Sequence, residues 1–180
     1  MTALKNALKW TGIGLGGLIG ILFILAVLFS FATELGIYPS TQVQSGEDLP
    51  EKQYNALREA NILERNETVQ FYYSDALFDI TQSGSIMTNR RVLGYWTIED
   101  ENGLETLEIH GYPLDTIESL TLIEDGGDYL DATYEITSFD DDEFTLLIYL
   151  SVEDDQHLDM IAALETQIDK NTPKQAEVEE

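Results

Sequence analysis

The sequence predicts an N-terminal transmembrane helix followed by an α+β, mostly β domain: seven antiparallel strands closed by a C-terminal capping helix. Three observations carry this. From Trp10 to Thr33 no side chain ionises, and about 20 apolar residues suffice to cross a hydrocarbon core of ~30 Å. From Val69 onward, apolar residues recur at every second position in seven short runs, the pattern of strands with one buried face. After the last run the period lengthens to that of an amphipathic helix.

The span, residues 10–33, contains TGIGLGGLIG, in which Gly12, Gly14 and Gly17 match G-x-G-x-x-G. A phosphate-cradling loop needs a strand before it and a helix with an acidic residue after it. MTALKNALKW is no buried strand and ILFILAVLFSFA carries no charge, so the nucleotide reading fails. Gly12, Gly16 and Gly20 instead lie four apart, a candidate helix-packing face where lipid supplies no hydrophobic drive. Lys5 and Lys9 precede the span, whereas Glu34, Glu47 and Asp48 follow it with no basic residue before Lys52. The positive flank stays in the cytoplasm, which puts residues 1–9 inside and the domain outside the cytoplasmic membrane. The alternative is a signal peptide cleaved after Ala32, where Ser30-Phe31-Ala32 fits small-x-small; the apolar run exceeds the usual h-region and favours the anchor.

The 180 residues include 34 acidic and 9 basic ones, a net charge of −25. Beyond the span 7 basic residues face all 34 acids, a net −27. Such a surface repels nucleic acid and anionic head groups, so neither nucleic acid nor phosphoinositide is an expected partner. It also suits a saline habitat, where screening weakens self-repulsion. Without cysteine there is no disulfide, thiolate nucleophile or cysteine-ligated metal.

Residues 34–50 read as a linker and 51–64 as a short helix opened by Pro50 and Glu51. Strands are expected at 69–74, 76–81, 91–98, 105–110, 117–124, 129–137 and 144–150, with Leu130, Ala132, Tyr134 and Ile136 inward in the sixth. Acidic breaks at 99–103, 124–128 and 138–143 read as hairpin loops. The last helix is expected to start at Ser151, in a capping box with Asp154, and to bury Leu158, Ile161, Leu164 and Ile168. Residues 171–180 read as a disordered acidic tail.

ETVQFYYSDALFDITQSGSIMTNRRVLGYW (67–96), with its T-x-R-R-V lead into the third strand, resembles the opening of the bacterial pleckstrin-homology-like (PH-like) families. YPLDTIESL (112–120) resembles their link to the fifth strand. The resemblance covers residues 65–170. It implies a PH-like roll, two bent sheets plugged by a C-terminal helix, acting as a binding or scaffolding module without catalytic residues or cofactor. The loop joining the first two strands is basic in lipid-binding members; here it is Ser74-Asp75.

Two constellations are candidate sites. Arg90 and Arg91 are the only basic residues between Arg65 and Lys170 and offer bidentate forks to a carboxylate or phosphate, or else pair with nearby acids. Asp140, Asp141, Asp142 and Glu143 are hard oxygen donors for Ca²⁺ or Mg²⁺, or else a solvated hairpin tip. His110 and His157 fit no metal motif and read as surface or boundary residues. No nucleophile is paired with a base, so no enzyme activity is expected. The function expected is a protein-interaction or assembly module on a single-pass membrane protein, self-association included. The alternative is a small-ligand or divalent-cation sensor on the same tether.

Overall fold

In the computed structural model, residues 20–24, 27, 40–76, 78–127, 130–153 and 155–176 are described, the side chains of 141–143 and 173–176 excepted. Gly12 and Gly16 lie outside them. Gly20 lies in a short helical stretch with exposed neighbours, and a Cβ added there meets nothing within 4 Å. Among the described residues no helix is long and apolar enough to cross a membrane; most of the expected span, 10–33, falls outside them. The chain divides into Met1–Ile37 and Tyr38–Glu180, and every strand named here belongs to the second unit.

Among the described residues eight strands, one more than the seven expected, form two antiparallel sheets. The first has the order β1 (Gln44–Ser45), β2 (Val69–Tyr73), β3 (Ser83–Thr88), β4 (Arg91–Glu99), β5 (Glu105–Pro113). The second has the order β6 (Ile117–Glu124), β7 (Ala132–Ser138), β8 (Asp141–Leu150). Helix α1 (Glu51–Glu59) precedes β2, and α2 (Gln156–Ala176) closes the chain. β2 to β5 as one meander, β6 to β8 as a second, and a final helix make up a PH-like arrangement, preceded here by β1 and α1.

The first sheet is covered on both faces, and this accounts for most differences from the sequence reading. One row across it is Phe71, Met87, Val92 and Tyr112; the next is Tyr72, Ile86 and Leu93. The first row enters a core with Ile117, Ile136, Leu146, Ile148, Met160 and Leu164, between the sheets and α2. The second enters a separate core with Leu49, Leu57, Ile62 and Leu63, from the segment before β2. A strand buried on both faces reads as a continuous run instead of an alternation. β3, whose last four residues SIMT are all buried, gives no period-two signal. Among the described residues of the alternating ALFDIT beside it none is in a strand: Phe78 is 68% exposed, and Ile80 is the one that enters the core.

Of the expected linker, 34–50, the described residues 40–50 are part of the domain. Val43 is buried in the roll, Gln44–Ser45 pair with Tyr72 and Phe71, and Leu49 packs in the outer core. Helix α1 has Pro50 at its N-cap, Glu51 in its first turn and Arg58 in its last, placements that complement the helix dipole.

The closing helix begins at Gln156, not Ser151, whose side chain is buried and accepts a bond from the Glu153 N–H. Its buried face is His157, Met160, Leu164 and Asn171, while Leu158 is half exposed. It runs past the expected end at 170. Asn171 is buried and its amide donates to the carbonyls of Leu114 (2.9 Å) and Ile117 (3.1 Å), tying the helix to the link between the sheets. β7 starts at Ala132, and Leu130, expected inward, is 65% exposed.

Candidate functional site: a groove at the seam of the two sheets

Strand β8 is one edge of the second sheet, and it crosses the inner face of the first. Small residues let it approach. Ser85 and Gly94 face each other on β3 and β4; a Cβ on Gly94 would come within 3.2 Å of the Leu147 carbonyl oxygen. Ser85, itself buried, accepts a bond from the Tyr149 N–H at 3.1 Å. Next to these contacts the small side chains leave a groove of about 370 Å³, within the range of ligand sites.

Ser83, Ser85 and Gly94 line it from the first sheet, with Tyr73 and Trp96 beside them; Phe144, Thr145, Leu147 and Tyr149 line it from β8. One end is braced by stacked rings. His110 of β5 lies between Trp96 (centroids 5.0 Å apart, planes at 13°) and Phe144 (4.8 Å, 22°), and so joins the sheets. The Tyr112 hydroxyl donates to the Phe144 carbonyl in the same corner. His110 therefore braces the groove, a role its strand-end position in the sequence does not reveal.

Asp75 is the one charged residue among the described residues lining the groove. One of its oxygens accepts from the Ser83 hydroxyl. Beyond Tyr73 and Asp75 a second hollow of about 400 Å³ contains Asp131 and Glu153. The Tyr73 hydroxyl donates to Asp131 at 2.7 Å. Burial, and then the like charges of Asp75 and Glu153, raise the Asp131 carboxyl above its ordinary value against the opposing Tyr73 hydrogen bond. Burial and the neighbouring Asp131 also push the Tyr73 hydroxyl far up, so it stays a proton donor.

Arg90 and Arg91 lie away from this groove, at the β3–β4 turn. Arg91 forms a fork with Glu67, Nε to Oε1 at 2.7 Å and Nη2 to Oε2 at 2.9 Å, and Nη2 also donates to the Ile62 carbonyl at 3.1 Å. Glu67 is 1% exposed and accepts further bonds from the Glu64 N–H and the Thr88 hydroxyl. Burial would raise its carboxyl, but these donors outweigh burial and hold it below its ordinary value. Arg91 thus fastens the segment before β2 to the β3–β4 hairpin. Arg90 meets Glu64 at 3.2 Å, with both side chains more than half exposed.

The acidic run starts at the hairpin tip and continues into β8. The turn is Phe139–Asp140, and Asp141 to Glu143 begin β8, with Asp141 opposite Ser138. Asp140 is exposed; the side chains of 141–143 lie outside the described residues. Among the described residues no three His, Asp or Glu side chains are grouped to hold a metal ion. His157 is 7% exposed on the inner side of α2, not at the surface.

No family model matches the chain, and a search of curated proteins finds no relative. Two solved structures are similar to it. One is a DUF1696 family protein with a pleckstrin-homology domain from Shewanella loihica PV-4, at 14% identity and a TM-score of 0.43, over 73% of this chain and 97% of that one. The other is a pleckstrin homology domain from Shewanella amazonensis SB2B, at 17% identity and a TM-score of 0.40, over 66% of this chain and 95% of that one. The PH-like description of this chain rests on its own strand order and closing helix.

Proposed function

We propose that this chain is a non-enzymatic protein-recognition module, tethered to the cytoplasmic membrane by residues 10–33 with its PH-like domain on the outer side, and that it takes its partner into the seam groove. The observation that carries the reading is the groove: an aromatic-lined hollow between two sheets, beside their close approach at Ser85 and Gly94 and braced by the Trp96–His110–Phe144 stack. Aromatic side chains bring large contact area at low entropic cost, and they are enriched where proteins meet. The tether is supported by the uncharged run from Trp10 to Thr33 and the lysines before it.

The test is copurification from solubilised membranes with wild type and with Leu147→Trp, which fills the groove from a partly exposed strand position. A partner retained by wild type and lost by L147W supports the reading; a partner retained equally by both places recognition elsewhere. For the tether, protease added to intact spheroplasts should destroy a C-terminal tag while the protein stays with the membrane. A protected tag would reverse the orientation, and a soluble, shortened chain would make the apolar run a signal peptide.

A further inference from the structure

We infer that the group the seam groove takes up is the lysine side chain of a basic partner segment. This rests on the reading of the groove as a partner site and names the chemistry of the partner.

The lining has two parts that one lysine matches together. Trp96, Phe144, Leu147 and Tyr149 give an apolar wall along which a chain of methylenes lies without loss of hydration. Tyr73 and Asp75 line both this groove and the adjoining hollow that contains Asp131 and Glu153. A cation moving along the wall therefore meets aromatic rings first and carboxylates next, both attractive to it. No described residue lining either hollow is basic. An anionic ligand would find no counter-charge there and a strongly negative domain around it.

The carboxylates are positioned to receive an ammonium. Asp75 has one oxygen on the Ser83 hydroxyl, and Asp131 has one on the Tyr73 hydroxyl. These bonds orient the two carboxylates, and each oxygen keeps a lone pair for a cation. An ammonium is a point charge with three rotatable donors, which can turn to carboxylates of different residues. The raised Asp131 carboxyl is in keeping with this: burial raises it most, and the like charges of Asp75 and Glu153 add a repulsion that an arriving cation relieves.

The test uses the full chain in mild detergent, carrying Trp10→Phe so that Trp96 is the one tryptophan. Its emission is followed on titration with a capped peptide bearing two lysines, with the same peptide bearing glutamines, and with tetramethylammonium chloride. The lysine peptide should give a saturable change that weakens about tenfold or more in Asp75→Asn/Asp131→Asn and falls as salt is raised. The glutamine peptide should give none. Equal binding of both peptides would overturn the charge argument. Binding of tetramethylammonium without the peptide would make the site one for a small cation and overturn the proposal. No response to any probe would overturn it too. A partner that L147W loses, found together with a silent lysine peptide, would leave the groove reading standing and remove only the lysine. Failure of both experiments would remove both.

Discussion

Replacing Arg91 with methionine should destabilise the domain by about 3 kcal/mol at neutral pH. Methionine keeps much of the stem's volume and removes the fork. Glu67, 1% exposed, is then left with the Glu64 N–H and the Thr88 hydroxyl. Breaking one side of a buried pair costs roughly 3–5 kcal/mol, and the 23% exposure of the Arg91 side chain admits enough water to favour the lower end. Against a typical domain stability of about 5–15 kcal/mol, the loss is large enough to measure by urea unfolding of the full chain. The pH dependence has a definite sign. In wild type the Glu67 carboxyl is held below its ordinary value, so its contribution is present at neutral pH and is lost as the pH falls through the folded-state value. In R91M burial prevails, the carboxyl rises, and protonation relieves the cost. The gap between wild type and R91M should therefore narrow below about pH 5. Adding Glu67→Gln to R91M should recover at least ~1 kcal/mol, because no uncompensated charge remains. A gap under ~0.5 kcal/mol that does not change with pH would refute the reasoning and leave Arg91 open as a ligand-binding side chain.

Leu57→Ala should cost about 2–5 kcal/mol, since Leu57 is fully buried in the outer core; a far smaller loss in urea unfolding would show that α1 is peripheral. Met160→Ala should fall in the same range while Leu158→Ala stays within ~0.5 kcal/mol, because Met160 is 0% and Leu158 50% exposed; the reverse order would mean that α2 presents its other face. Gly84→Ala should prevent proper folding, as its Cβ would lie 2.5 Å from the Tyr73 carbonyl oxygen and 2.6 Å from the Tyr95 hydroxyl, whereas Gly127→Ala, with open space around it, should express and melt like wild type. The raised Asp131 carboxyl contributes stability present below its ordinary value near 3.9 and lost as the pH rises through its folded-state value. Asp131→Asn should therefore melt a few degrees above wild type at pH 7 and level with it at pH 3; equal melting at both would show that its charge is not strained.

The second sheet was legible because it has one buried face. Ala132, Tyr134 and Ile136 alternate with polar residues, and Leu146, Ile148 and Leu150 fall at every second position; all six are buried, in β7 and β8. The first sheet hid its plan because α1 and the segment before β2 cover its far side. Nothing local tells that Leu57 and Ile62, in the expected short helix 51–64, cover a sheet, and β3 lost its period when both faces went inside. Asn171 looked like a polar tail because its partners, the Leu114 and Ile117 carbonyls, are more than 50 residues away. The site was legible only in fragments. Arg91 stood out as a rare cation, and it proves to be fixed by Glu67, an acid among many in the sequence. The groove had no motif at all: Ser83, Ser85, Gly94 and Trp96 acquire meaning only where β8 crosses them.

The measurement that bears most directly on a partner-binding seam is site-specific photocrosslinking in intact cells, with the crosslinker at Thr145, an exposed groove position on β8, and a control at Leu158, an exposed position on α2. A discrete protein adduct from position 145 that is absent from 158 and abolished by L147W is the predicted result. No adduct from 145, or the same adducts from both positions, would contradict the claim that the seam of the two sheets is where this domain meets its partner.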